Sequence, residues 1–188
     1  MDRFLLILLP ALLCISLPVD AREIDGTHIP DTVTIADSSL QLNGAGIRKK
    51  LFMDIYIGAL YLPARTPDSS AILTDTGPAS VLMHILYKEL SKEKITNAWS
   101  EGMRANLTTE EMHSLQTTLD AFNTLFMTVH KGDVIRIDFI PGKGTEVRIN
   151  NEWRGIVGDN TFFRALLKVW LGPEPVSSSL KDAMLGKD

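Results

Sequence analysis

The sequence predicts an α+β fold, an antiparallel sheet with helices layered on one face. Three observations predict it. A β-prone stretch over 23–62, its pieces joined by short turns, is followed by another at 80–87. Two helix-periodic segments then occupy 91–127 with no strand between them. Two more strands and two more helices close the chain, so strands neighbour strands and helices neighbour helices, an order that favours antiparallel pairing.

In order along the chain, Thr32-Val33-Thr34-Ile35 and Leu40-Gln41-Leu42 are short strands on either side of the turn-forming Ala36-Asp37-Ser38-Ser39. Gly44-Ala45-Gly46 marks a bend or bulge, because glycine reaches backbone angles that other residues avoid. Over 50–62, Phe52, Asp54, Tyr56, Gly58, Leu60 and Leu62 alternate with Leu51, Met53, Ile55, Ile57, Ala59 and Tyr61. Both sets are largely apolar, as in a strand covered on both faces, and Pro63 ends it. A further strand covers 80–87.

Ser91 caps a helix running through Ile95, Ala98, Trp99 and Met103. Thr108 and Glu111 have capping-box spacing at the head of the next, whose apolar stripe is Met112, Leu115, Leu119, Phe122, Phe126 and Met127. Lys131-Gly132-Asp133 turns into Val134–Ile140, where Ile135, Ile137 and Phe139 alternate with Arg136 and Asp138 as in a half-buried strand. Its partner is 145–149, and Asn150-Asn151 suits a tight turn before Trp153. Asp159 caps a helix carrying Phe162, Phe163, Leu166, Leu167 and Trp170, stopped by Gly172-Pro173, and 177–185 is a last short helix.

The head of the chain reads differently. Arg3, the apolar run of residues 4–9 and 11–13, and the compact Val19-Asp20-Ala21 have the order of a secretory signal peptide over 1–21, with cleavage after Ala21. Pro10 interrupts the apolar run, which is too short to span a bilayer, and Leu13 before Cys14 does not suit lipoprotein processing. The expected product is one exported domain over 22–188, periplasmic or secreted, without a later membrane-spanning segment. Cys14 is the single cysteine, so that domain folds on an ordinary core without disulfides. Removing Asp2, Arg3 and Asp20 changes the formal charge of −4 to −3, mild and of the wrong sign for nucleic-acid binding.

Conventional catalytic signatures are missing from the sequence. His28, His84, His113 and His130 are scattered without zinc-site spacing, and no nucleophile elbow, Walker loop or dinucleotide fingerprint occurs, so no cofactor is expected. Gly142-Lys143-Gly144-Thr145 reads as a hairpin turn rather than a phosphate loop. Asn106-Leu107-Thr108 fits a glycosylation sequon.

Three stretches carry more information: Asn43-Gly44-Ala45-Gly46-Ile47-Arg48 with the strand ending Gly58-Ala59-Leu60-Tyr61-Leu62; Leu90-Ser91-Lys92-Glu93-Lys94-Ile95-Thr96; and Trp170-Leu171-Gly172-Pro173-Glu174-Pro175 followed by Leu180-Lys181-Asp182-Ala183-Met184-Leu185-Gly186. In this order the chain resembles the chalcone isomerase-like superfamily, above all its exported bacterial branch. The resemblance implies an open-faced β-sandwich, the same antiparallel sheet with helices on one face. It also implies a site. The superfamily's isomerases use an arginine after the glycine bend, a threonine on the next strand, and a tyrosine, a lysine and an asparagine on the first long helix. Carried over, these positions hold Arg48, Tyr56, Ser91, Lys94 and Ala98.

Arginine and lysine survive; the phenol and amide that would orient a flavonoid do not, and serine and alanine lack their reach. The expected function is therefore that of a non-catalytic relative binding a fatty acid or other amphiphilic carboxylate, with Arg48, Tyr56 and Lys94 as the ligand-binding residues. The alternatives are an isomerase or lyase acting on another small molecule, and a scaffold protein without a pocket.

Overall fold

The computed structural model describes residues 21–187. The leader expected over 1–21 thus lies outside the described residues except for Ala21. Seven strands form the main sheet in the order β11-β10-β9-β6-β5-β4-β3, every neighbouring pair antiparallel. They are β3 (Thr32–Ile35), β4 (Ser38–Lys50), β5 (Met53–Leu62), β6 (Ala79–Ile85), β9 (Val134–Ile140), β10 (Gly144–Ile149) and β11 (Glu152–Val157). A hairpin of β1 (Ala21–Ile24) and β2 (Thr27–Pro30) stands apart from this sheet, as does the short pair β7 (Glu89–Leu90) and β8 (Val129–His130).

Four helices belong to segments that the sequence marks as helical. They are α2 (Lys92–Asn106), α3 (Thr109–Thr124), α4 (Asn160–Leu171) and α5 (Ser178–Met184). Their starts are set by side-chain caps: Ser91 accepts from the Lys94 amide, Thr108 and Glu111 form the reciprocal capping box, Asp159 accepts from Phe162, and Ser177 from Leu180. Helix α4 is buried almost all round, from Phe162 and Phe163 through Leu166, Leu167, Val169, Trp170 and Leu171, because it packs on α1 (Ser69–Thr74), α2, α5 and the sheet together.

The strand alternation divides the apolar residues into two cores. Leu60, Leu62, Val81, Ile137 and Val147 join the helices in the larger one. Ile57, Ala59 and Tyr61, with Ile35, Leu40 and Leu42, face the other way and are covered by Ile29 of the β1–β2 hairpin, where the Tyr61 hydroxyl donates to the Pro30 carbonyl at 2.9 Å. The reading of 50–62 as covered on both faces holds for β5.

Several details differ from the sequence reading. The strand does not begin at Lys50, which ends β4; Leu51 and Phe52 form the two-residue turn. Helix α3 stops at Thr124, so Phe126 reaches the core from the following segment while Met127 is exposed. On β9, Asp138 is buried rather than solvent-facing, because Ser80 of β6 donates to it at 2.6 Å and Arg136 of its own strand covers it at 2.8 Å. Helix α1 (Ser69–Thr74) has only six residues, too few to show a periodicity, and Asp68 caps it.

The glycines of β4 have a reason other than the one the sequence suggested. A register shift between Leu42 and Gly44 confirms the bulge, yet neither Gly44 nor Gly46 adopts a positive φ. Instead α5 lies against them: a Cβ at Gly44 would meet the Ala183 carbonyl oxygen, and one at Gly46 would meet the Ala183 side chain at 2.5 Å. Asn43 at the bulge donates to the Met184 carbonyl at 2.8 Å and accepts from the Thr66 amide at 2.7 Å, tying α5 to the loop after β5.

Candidate functional site

Between the sheet and α2 lies a cleft of about 380 Å³. Its wall on the sheet side comes from Arg48 and Lys50 of β4, Met53, Ile55 and Tyr56 of β5, and Met83 of β6. Helix α2 supplies Lys94, Ile95, Asn97, Ala98, Trp99 and Glu101, and Tyr87, Leu90, Val169 and Val176 complete it. The structure thus brings Arg48, Tyr56 and Lys94 together although they lie on three elements.

Each is positioned by a local feature. Arg48 and Tyr56 are paired across the β4–β5 ladder, and a register shift beside Arg48 lets Ile55 as well as Tyr56 join the core on the helical side. The Arg48 guanidinium carbon sits 5.7 Å from the Tyr56 ring centroid, a cation–π arrangement. Lys94 is exposed on the first turn of α2, whose register is fixed by the Ser91 cap. Tyr56 is buried, and its hydroxyl oxygen accepts from Trp170 Nε1 at 2.9 Å. Burial raises the phenol above its ordinary value of 10.0, against the opposing effects of Arg48 and the Trp170 bond. It remains a neutral hydroxyl, and with its oxygen already accepting, its proton is left to donate.

The cleft's polar lining is mixed, with Glu101 and Asn97 beside the cations, but its buried unpaired side-chain atoms are of one kind. Two of the lining residues, Arg48 and Trp99, each have a buried side-chain nitrogen, Nε and Nε1, without a hydrogen-bond partner among the described residues, and both are donors. Trp99 is 3% exposed and packs against Phe122, Phe126 and Trp170, so its ring is held while its N–H is unspent. A buried donor without a partner forgoes the hydration it had in the unfolded chain, a cost of about 1–3 kcal/mol. A ligand carrying acceptor oxygens would relieve it.

The positions at which the resemblance expects tyrosine and asparagine behave differently from one another. Ser91 is the cap of α2, whereas Ala98 lines the cleft. The cleft does contain a second phenol, Tyr87, and an amide, Asn97, at positions not singled out from the sequence. Trp99 was read there only as part of the apolar face of α2. Nothing in the periodicity could show its N–H to be unpaired.

The remaining conspicuous motifs serve packing. Asn106 of the sequon donates to the Gly102 and Glu174 carbonyls and accepts from the Glu174 amide, so its side chain is committed to holding the segment after α4. Lys181 donates to the Gly172 carbonyl at 2.8 Å. The Gly142-Lys143 turn joins β9 to β10 as a hairpin.

The comparisons with known proteins agree with this architecture. No curated protein sequence matches the chain significantly. Among solved structures, the chain is similar to the crystal structure of a fatty-acid binding protein from Arabidopsis thaliana, with a TM-score of 0.69 and 18% identity over 88% of this chain and 96% of that one. The family model described as chalcone isomerase-like matches residues 21–186, nearly the whole described length. The chain belongs to the chalcone isomerase-like family.

Proposed function

We propose that this protein is an exported, non-catalytic member of its family that binds a fatty acid or similar amphiphilic carboxylate in the cleft between the sheet and α2. The observation that carries the reading is the donor-only character of the cleft's buried unpaired groups, Arg48 Nε and Trp99 Nε1, beside the neutral Tyr56 hydroxyl. A carboxylate offers acceptors alone and forms its strongest hydrogen bonds with charged donors. Met53, Ile55, Met83, Leu90, Ile95 and Val176 line the same cleft and suit an acyl tail. Its volume falls at the lower end of the roughly 300–1,000 Å³ usual for small-molecule sites. Lys94, exposed on the first turn of α2, adds a third cation to the lining beside Arg48 and Lys50.

Catalysis is not part of the proposal. Stabilising charge on a chalcone carbonyl while orienting the attacking phenolate needs a positioned set of groups. At the positions carried over from the isomerases, Ser91 is used as a helix cap and Ala98 has no polar atom. Purified protein is expected not to accelerate cyclisation of a chalcone; rapid loss of the chalcone absorbance, abolished by Arg48→Ala, would overturn this.

The direct test is native mass spectrometry of the protein recovered from an exporting host, followed by titration of long-chain fatty acids into wild type and Arg48→Ala. A co-purified acyl chain and saturable binding weakened in the variant are expected. Absence of saturable binding to wild type would leave the scaffold reading in its place. Export is checked separately by amino-terminal sequencing, with Arg22 expected first; a retained Met1 in a membrane fraction would contradict it.

A further inference from the structure

The β4–β5 hairpin ends in two apolar residues that cover nothing. Leu51 is 82% exposed and Phe52 fully exposed at a two-residue turn between the paired Lys50 and Met53. Leu51 also sits at φ 57°, in the left-handed region where a residue with a Cβ is strained and glycine is not. Hairpin turns ordinarily place glycine, asparagine or aspartate at such a position. This tip instead combines strain with exposed apolar surface, and neither helps the folded chain. A departure of this kind from local preference points to a use outside the fold.

Directly behind the tip stand three consecutive cations, Arg48, Lys49 and Lys50, in a chain whose formal charge is −4. Asp54 balances one of them, pairing with Lys49 at 3.3 Å. Lys50 and Met53 also line the cleft, as does Lys94, so the basic end of the hairpin and the cleft mouth share one end of the molecule. An aromatic and an aliphatic side chain at the very tip with lysines next to them on β4 match the layers of an anionic bilayer, acyl chains beneath negatively charged headgroups.

We propose that the β4–β5 tip docks on an anionic lipid surface, Leu51 and Phe52 entering the acyl region and Lys49 and Lys50 lying against the headgroups, which turns the cleft mouth towards the membrane. Leu51 and Phe52 lie outside the cleft lining, so docking through them and binding in the cleft can each fail without the other.

The experiment is co-sedimentation of the protein with vesicles of equal parts phosphatidylcholine and phosphatidylglycerol, and with phosphatidylcholine alone, at low and high salt. Wild type is expected to bind the anionic vesicles in a salt-sensitive way. Leu51→Gly/Phe52→Ser should weaken that binding at least about tenfold, because it removes both inserting side chains. The same variant relieves the strain at Leu51, so its melting temperature should not fall, which separates lost docking from lost folding. Its fatty-acid affinity without vesicles should equal that of wild type. Lys49→Gln/Lys50→Gln should reduce binding to anionic vesicles and leave the weak binding to phosphatidylcholine unchanged. Equal binding by wild type and both variants, as adsorption through the leader would give, overturns the proposal. So does a dimer of wild type that the Leu51→Gly/Phe52→Ser variant dissolves while vesicles bind neither protein.

Discussion

Two arginines, one on a helix and one on the sheet, each lie over aromatic side chains, and they are finished differently. Arg164 on α4 is 5% exposed, lies over Phe139 and Phe163, and spends its donors on the Ile72 and Gly77 carbonyls and on Asn160. Those bonds hold α1 and the loop after it. Arg48 on β4 lies over Tyr56, but its buried Nε has no partner. The same side chain thus closes one part of the fold and leaves another open. A guanidinium whose three nitrogens each donate to the protein is part of the architecture; one left with a buried unpaired donor is suited to something that arrives later.

The largest effect is expected at Arg164. Arg164→Met should destabilise the protein by about 3–5 kcal/mol, since it orphans two backbone carbonyls and frees α1 from α4. Urea unfolding measures this. A loss below about 1 kcal/mol would show that the bonds are incidental.

Arg48→Met is expected to show the opposite balance. Unfolding stability should change by less than about 1 kcal/mol, because Nε has no hydrogen-bond partner to abandon and only the cation–π contact with Tyr56 is lost. Fatty-acid affinity, by calorimetric titration, should fall by roughly 1.5–3 kcal/mol, about ten- to a hundredfold. If Arg48→Met instead destabilises as much as Arg164→Met and leaves binding untouched, the distinction between the two arginines disappears.

Trp99→Phe sharpens the contrast within the cleft. It keeps an aromatic ring against Phe122, Phe126 and Trp170 and removes one unpaired N–H. Binding should weaken by about 0.5–1.5 kcal/mol, the worth of a single neutral hydrogen bond. Unchanged affinity would mean that the indole N–H does not face the ligand.

The smallest effect concerns a buried charge that is paired and still unfavourably placed. Burial raises Asp138 above its ordinary 3.8, outweighing the Ser80 bond and Arg136. A carboxyl with a raised folded-state pKa binds its proton more tightly in the folded chain. Its contribution to stability is therefore complete below about 3.8 and is lost as pH rises through the raised value. Asp138→Asn should flatten the stability profile over that window. A wild-type profile that instead rises with pH there, and does so less in the variant, would reverse the sign.

Much of the fold was legible because caps, turns and periodicities are local. The Ser91, Thr108 and Asp159 caps start their helices where expected, and Asn150 and Asn151 make their turn with φ of 53° and 67°. Helix α1 was not legible, since its place depends on Arg164, about ninety residues away. The motifs that carry the family resemblance were visible, but most of their meaning was not. Asn43, Gly44 and Gly46 touch α5, and Lys181 holds Gly172, so the two stretches mark joints of the architecture more than chemistry.

The α+β class, the antiparallel order, the starts of the four helices other than α1 and the nomination of Arg48, Tyr56 and Lys94 came from the sequence, because each follows from short-range pattern or from resemblance along the chain. Only the tertiary structure decided that these three share a cleft with Trp99, that Asp138 is buried, and that Leu51 and Phe52 stand free. Whether a polar atom is paired, or an apolar one covered, depends on what elements distant in sequence bring within a few ångströms, and no local pattern records it.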